Sequence, residues 1–538
     1  MGAASGPTSA SAWFRDPWVW TSTVLGAGAL AAVFFAGRYL PYIDWSNHVA
    51  LMAAFAHGGE TGATAYLERS WLPTPYLLFY AWTAVAGQAM PVEAAAKLGL
   101  CVAGTALVPS AAWLASECGR SARLGAVAPL ALFGYALGYG FGAFVFALPL
   151  LPATLAAGER LLDGIARDLC LPDLRRRALG LAALLALSFL GHAFVFGVAA
   201  GCLLVRTMAF GLVRARWKLL PRTASAVGLA FVPSVLLAVP KGLDLLRNPF
   251  REAGTAPAGP WMTFLDRKAH FANWGGHFLE RGSSAHWTTM QGVAALFVAL
   301  CLWSLWRSHP DSRFVSKESI RPKYGLEIHA SLLAALYGFG PVSIEWPAAV
   351  WMVYPRFATL AALFVFLLPR ADLRGWPQVA FFAAAAALVV DNSRINRGHI
   401  RGFSALARRY DAVRERIPPG SRVLSLMYGR ATDDFTRFHP ALGSLFFHHM
   451  ADGAAWVSYL FDNPLHPVHP RDDRPLPRAP FWRTPGAFRP DMHGRDFDWV
   501  ILRGESLVRR IRRADLHVPV ATIHGWHIFR TRHPRTLD

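Results

Sequence analysis

The chain has 538 residues, 54% of them hydrophobic and 16% charged, with a formal net charge of +20. Soluble domains carry charge on about a quarter of their residues, so this composition excludes a soluble enzyme throughout, and its apolar content excludes a disordered basic tail. The 20 Trp and 36 Phe suit membrane interfaces, and the long apolar runs argue against a nucleic-acid partner as the meaning of the basicity.

Apolar runs follow one another at 18–40, 94–116, 124–138, 141–157, 179–206, 223–240, 289–306, 326–344, 347–368 and 377–390. No basic segment precedes the first, which is long enough to span a bilayer, so it is expected as a retained helix rather than a cleaved signal. A further run, 73–90, carries Pro73, Pro75 and Gly87 and fits either a span or a helix lying in the interface. The expected fold is a polytopic α-helical membrane protein of about 11 spans with a C-terminal soluble α/β domain. The five cysteines, Cys101, Cys118, Cys170, Cys202 and Cys301, form no C-x-x-C pair, which leaves no basis for a zinc ribbon or a disulfide framework.

Composition changes after residue 390, so the chain divides into a membrane domain, 1–390, and a tail, 391–538. The tail has 24 Arg, no Lys, 15 acidic residues and 11 His, and no run long enough to span. Helical spacing covers 403–418, with Phe403, Leu406, Tyr410 and Val413 on one side. Strands are expected at 421–428, 497–504 and 517–525, with a short helix over 505–513. The Pro-, Arg- and His-rich stretch 462–496 has the composition of a loop.

Basic residues cluster at Arg120/Arg123, Arg175/Arg176/Arg177, Arg206/Arg214/Arg216/Lys218/Arg222, Arg307/Arg313/Lys317/Arg321/Lys323 and Arg370/Arg374. Cytoplasmic loops are enriched in Lys and Arg, so all five are placed inside. The N-terminus is then cytoplasmic, and the loops 41–72 and 241–288 and the tail lie outside. This orientation requires 73–90 not to cross fully. It also splits 179–206 into two helices meeting near Gly191-His192, each half of the run being short for a span. The rival orientation keeps both runs as single spans and puts Arg120, Arg123 and the Arg175 triplet outside. The implied location is a bacterial inner membrane.

Ionisable residues near membrane depth are candidate sites by default. Asp44 and His48 lie in "PYIDWSNH", four residues apart and so on one side of a helix. A carboxylate there acts as a general base or metal ligand, or as an N-cap for a loop helix. "GYALGYGFGAFVFALPL" (134–150) interleaves glycines with aromatics, for close helix packing or room for a ligand chain. His192 is a lone ionisable residue in an apolar stretch, a packing residue or a phosphate contact. Arg356 follows Tyr354 inside the next run, with Glu345 and Trp346 at the preceding junction. A guanidinium within a span suits a phosphate or an ion pair with Glu345 or Asp44. In 241–288, His270, His277, Glu280 and His286 lie among Trp261, Trp274 and Trp287 with no metal-ligand spacing, as in His448-His449 and His466/His469, which are expected as surface or loop residues. No phosphate-binding glycine loop, nucleophile elbow or H-E-x-x-H occurs.

Asp44 in "PYIDWSNH", the aromatic-glycine hairpin at 134–148, His192 and "YPRF" at 354–357 resemble the GT-C class of membrane glycosyltransferases, in particular bacterial members related to protein O-mannosyltransferases and aminoarabinose transferases. The resemblance covers most of the membrane part and less of the tail. It implies a polyprenyl-phosphate sugar as donor and a glycan, lipid or protein as acceptor. Asp44, with His48, would serve as catalytic base, and Arg356, His192, Tyr354, Glu345 and Trp346 would bind the donor. The first loop departs from the class in lacking D-x-D or E-x-D; its next acids after Asp44 are Glu60 and Glu68. No cofactor is therefore required, and a divalent metal stays open as the alternative. Other readings are a lipid-linked glycan carrier, which needs the charged pocket but no base, and a non-catalytic envelope protein whose tail binds a partner.

Overall fold

A computed structural model describes residues 12–42, 44–57, 66–212, 217–247, 284–307, 324–341, 353–371, 373–427, 441–452, 455–460, 465–471, 476–480 and 485–535. The first helix, α1 (Pro17–Phe34), begins where its sequence dictates. The Asp16 carboxylate accepts a hydrogen bond from the Trp18 N–H at 3.0 Å, and Pro17 sits in the first turn, where a missing N–H costs nothing. After it come α2 (Trp45–His57), β1 (Leu67–Arg69), α3 (Leu77–Ala86), α4 (Val92–Glu117), α5 (Tyr135–Tyr139), α6 (Gly142–Ala147) and α7 (Leu150–Ala166). Then follow α8 (Leu171–Gly191), α9 (Ala193–Leu212), α10 (Leu220–Arg247), α11 (Ser284–Arg307), α12 (Gly325–Phe339), α13 (Val353–Phe366) and α14 (Trp376–Ala407).

Among the described residues, six helices are long and apolar enough to cross a membrane: Pro17–Phe34, Val92–Glu117, Gly142–Ala166, Ala193–Gly211, Trp217–Asp244 and Thr288–Trp306. The run 73–90 yields only the ten-residue α3. At 1.5 Å per residue that is about 15 Å, half a bilayer core. The run 179–206 is two helices, as the charge pattern demands. They meet at His192, whose backbone is extended. Each outgrows its half of the run, α8 by starting at Leu171 and α9 by continuing to Leu212, which removes the difficulty of their length. The run 124–138 differs from expectation. It is a 3-10 helix over Ala122–Phe133 containing Pro129, followed after Gly134 by the short α5, because proline withdraws a donor and glycine ends the turn. Helix α14 runs unbroken through Asp391, so the change in composition falls inside one helix.

Charged side chains at one end of the bundle are consumed in pairs. Glu159 on α7 takes a bidentate clasp from Arg206 on α9 (Nε–Oε1 2.6 Å, Nη2–Oε2 3.0 Å), and His329 Nε2 on α12 lies 3.1 Å from Oε1. Gly325 lies against that carboxylate, and a Cβ there would collide with it. Arg120 and Arg370 share Glu327, while Arg123 holds Asp16 at 2.8 Å and the Gln378 amide oxygen at 2.6 Å. Arg206, expected in a loop, is thus buried within α9. It is the clasp with Glu159 that makes burial tolerable.

The tail forms a five-stranded sheet in the order β3-β2-β5-β7-β6. Its strands are β2 (Arg422–Met427), β3 (Trp456–Val457), β5 (Trp499–Arg503), β6 (His517–Ile523) and β7 (Trp526–Thr531). β2 pairs parallel with β3 and β5, and β7 runs antiparallel between β5 and β6. The short helices α15 (His448–Ala451) and α16 (Glu505–Arg513) accompany it. The expected strands at 421–428, 497–504 and 517–525 are β2, β5 and β6. A further strand, β4 (Val468–Pro470), leaves this sheet and pairs antiparallel with β1 of the first loop, Leu67 opposite Pro470 and Arg69 opposite Val468.

His448, His449 and His466 are not surface residues. All three are buried, because the tail packs against α2 and the first loop. His448 Nε2 lies 3.2 Å from Ser46 Oγ and its Nδ1 3.8 Å from Glu93; His449 Nε2 lies 3.0 Å from the Tyr410 hydroxyl. Burial pushes the His449 imidazole down to about 3, and burial with the nearby Arg414 charge holds His448 well below its usual range.

Two outcomes follow from this packing. Glu159→Ala leaves Arg206 buried and uncompensated, which costs about 3–5 kcal/mol. Melting in detergent should show a loss far larger than for Asp163→Ala, whose partner Arg167 is exposed. The buried imidazoles bind protons in the unfolded chain near pH 6.5 and in the folded chain only well below it, so stability is full above 6.5 and falls on acidification. The melting temperature should drop between pH 6.5 and about 3, a window set by His48, which burial holds at about 4, and by His449 at about 3. A flat profile would contradict this.

Candidate functional site

The end opposite the paired charges gathers polar groups differently. Asp44 directly precedes α2, and its carbonyl accepts the His48 N–H at 3.0 Å. It therefore occupies the N-cap position, where the helix dipole favours negative charge. The Asp44 N–H donates to the Tyr139 carbonyl at 3.0 Å. This approach depends on Gly140, whose φ of +96° belongs to the left-handed region. A Cβ there would lie 2.7 Å from the Asp44 nitrogen and 2.6 Å from that of Trp45. The aromatic-glycine hairpin thus serves close packing, and what it packs is the backbone that presents Asp44. Asp44 is half-buried, whereas His48, His192, Tyr354 and Arg356 are buried.

Arg356 lies in the first turn of α13. Its guanidinium sits 4.0 Å above the centre of the Phe141 ring and 5.7 Å from that of Phe194. Cation–π contacts of this kind strengthen when desolvated. Asp44, Tyr76, Tyr135 and Tyr139 act electrostatically on the same charge. Asp44 and Arg356, singled out separately in the sequence, are therefore neighbours. Tyr354 stacks on Tyr337 at 6.1 Å and lies near Tyr135.

His192 stands at the break between α8 and α9. Its Nδ1 accepts the Phe194 N–H at 3.0 Å, which leaves Nε2 as the protonated nitrogen of the neutral ring. Tyr76 meets it edge-on at 4.7 Å and Phe144 at 5.5 Å. Burial, then the Arg356 charge, hold the His48 imidazole down at about 4. His48 is therefore neutral at physiological pH and leaves Arg356 as the cation.

Glu345, Trp346 and most of 241–288 lie outside the described residues. Among the described residues, no three His, Cys, Asp or Glu side chains converge as metal ligands. Sequence reasoning passed over Tyr76 and Tyr80 and placed His466 at the surface. Tyr76 adopts a φ of +76°, rare for an aromatic residue and a mark of strain held by its surroundings. Its ring stacks on His466 at 4.7 Å, and His466 Nδ1 lies 2.7 Å from the Tyr80 hydroxyl. Tyr135, Tyr139 and Phe141 lay within a stretch whose alternating glycines and aromatics were the visible signal. Nothing local distinguishes Tyr76 or His466.

Among the described residues, the arrangement sets the Arg356 cation and the Asp44 carboxylate among aromatic side chains, which suits an anionic phosphate beside a base. No family model and no curated protein sequence matches the chain. Two solved structures are similar in fold. ArnT from Cupriavidus metallidurans in the apo state superposes with a TM-score of 0.55 at 12% identity, covering 97% of this chain and 98% of that one. The same enzyme bound to undecaprenyl phosphate gives 0.50 at 13% identity over the same shares. The chain thus shares the fold of ArnT, an aminoarabinose transferase, over nearly its whole length.

Proposed function

We propose that the chain is a membrane glycosyltransferase that moves a sugar from a polyprenyl-phosphate donor to an acceptor on the outer face of a bacterial inner membrane. One observation carries this reading: Asp44, His48, His192 and Arg356 converge from three separate parts of the chain onto one aromatic-lined site, in a fold shared with an enzyme seen bound to undecaprenyl phosphate. A carrier needs the cation and the aromatic walls. A transferase needs the carboxylate beside them as well.

In the proposed reaction the acceptor hydroxyl attacks the anomeric carbon. Its proton passes to Asp44, a new carbon–oxygen bond forms, and the bond from the anomeric carbon to the phosphate oxygen breaks. The electron pair leaves on the polyprenyl phosphate. Arg356 faces that growing charge, and the Nε2–H of His192 is a second donor. Both act in a water-poor site, where such donors are worth most. Tyr354, with Glu345 and Trp346, would complete the donor site. Pentosyl and hexosyl donors both suit this chemistry, as do glycan, lipid and protein acceptors.

The same reading assigns the topology. The pairs around Glu159 and Glu327 form the cytoplasmic end, with the N-terminus, and the Asp44 end faces outward with the tail. Eleven spans, a membrane domain over 1–390 and a soluble tail over 391–538 complete it. The direction of each helix supports this: α1 runs from Asp16 and its partner Arg123 toward Asp44, while α9 runs from His192 to Arg206.

Purified protein incubated with labelled polyprenyl-phosphate sugars tests the proposal. Asp44→Asn should lower turnover about 10²–10⁴-fold, as loss of a general base does, and Arg356→Ala about 10²–10³-fold. Equal turnover in all three proteins would sink the mechanism, and lipid-linked sugar moved across vesicles by Asp44→Asn without transfer would mark a carrier instead. Gly140→Ala forces a Cβ into the backbone of Asp44 and Trp45. It should cost at least about tenfold in kcat through misplacement of the base, measured in the same assay.

A further inference from the structure

We propose that His466, a residue of the tail, is a positioning residue of this site, and that the site is incomplete without the segment that carries it. The inference rests on the glycosyltransferase reading above and adds a part of the machinery that lies more than 400 residues from Asp44 in the chain.

Tyr459 and residues 465–471 are bound by their backbone to the first loop and the segment after it. Asn47 Nδ2 donates to the Tyr459 carbonyl at 3.1 Å and Thr74 Oγ1 to that of Leu465 at 2.7 Å. The Ser70 N–H donates to the Pro467 carbonyl at 2.8 Å, and the Arg471 N–H to that of Tyr66 at 2.9 Å. With the β1–β4 ladder, these bonds leave His466 little freedom to move. Its side chain points into the cluster rather than to solvent, and it is buried.

The ring packs against Tyr76, His48 and Tyr80. It lies nearly parallel to Tyr76 (4.7 Å, 16°) and to His48 (5.5 Å, 17°), and its Nδ1 shares a proton with the Tyr80 hydroxyl at 2.7 Å. A phenol is a stronger acid than a neutral imidazole N–H, so Tyr80 donates and His466 keeps its proton on Nε2. Burial, reinforced by His48 and His469, holds His466 well below the usual imidazole range. It is thus a flat, neutral plate rather than a second cation. Tyr80 fixes its rotation, and the plate supports Tyr76, which pays for its left-handed backbone and in turn meets His192 edge-on. On its other flank stands His48, in the helix that Asp44 caps. Removing the plate frees both sides of the site at once.

The full-length protein tests this in detergent with labelled polyprenyl-phosphate sugars. His466→Ala should lower kcat about ten- to hundredfold with the donor KM changed less than about threefold, since preorganisation acts on the reacting geometry. His466→Phe keeps the stacking but loses the hydrogen bond and should fall between wild type and His466→Ala. Tyr80→Phe should match His466→Phe, and the double variant should be no worse than the poorer single, because both remove one bond. Variants within twofold of wild type in kcat per folded molecule overturn the proposal. A second readout needs no turnover: ¹⁵N-histidine spectra follow the protonation of His48, which sits at about 4 beside Arg356. In His466→Ala water enters and this value should climb toward 6.5; an unchanged titration overturns the proposal. If wild type transfers no sugar, the glycosyltransferase reading fails while this second measurement still decides the role of His466.

Discussion

A guanidinium removed from water must be solvated by protein, and the Asp44 end of this molecule is built around that requirement at Arg356. Leaving a charge in an apolar medium without compensation is costly. The compensation is unusual in being mostly aromatic: the face of Phe141 at 4.0 Å, that of Phe194 at 5.7 Å, and the tyrosines 76, 135 and 139, with Asp44 as the acid nearby. These groups come from the hairpin after the 3-10 helix, the break between α8 and α9, the loop before α3 and the approach to α2. Satisfying one cation thus requires four distant segments to meet, and their meeting is the site. Aromatic faces thus share in holding this cation.

The opposite end solves the same problem in the opposite way. Glu159 and Arg206 satisfy each other bidentately, and His329 takes up a remaining lone pair. Breaking such a pair is costly, and its rigid geometry fixes how α7, α9 and α12 cross. Glu327 does similar work for Arg120 and Arg370. At this end the acids Glu159 and Glu327 are matched to basic partners at bonding distance, while at the other end aromatic rings take a larger share in holding the buried cation.

This contrast explains what was legible in the sequence. Asp44, His48, His192 and Arg356 stand out because each is an ionisable residue in apolar surroundings, a property of single positions. The split at His192 was legible because the basic clusters required it, even though each half of the run is short for a span. Pairing was not legible. Glu159 sits just beyond an apolar run and drew no attention, and Arg206 counted as a loop charge, because composition tallies charges without matching them across α7 and α9. His466 lies in a Pro-, Arg- and His-rich stretch without periodicity. Its burial depends on Leu67 meeting Pro470 across some 400 residues, and no local pattern encodes that contact.

The tail also changes meaning once its contacts are known. By composition it is a separate basic unit beginning at 391, yet α14 crosses that point without a break, and β4 adds its strand to the first loop. The histidines it sends inward are held neutral by burial, while some of its arginines pair within the tail: Arg414 with Asp411 and Asp452, Arg422 with Asp498. A lysine or arginine at position 466 would set a second buried charge against Tyr76, Tyr80 and His48, where desolvation is costly. A neutral imidazole fills the same place and makes the same contacts without that cost.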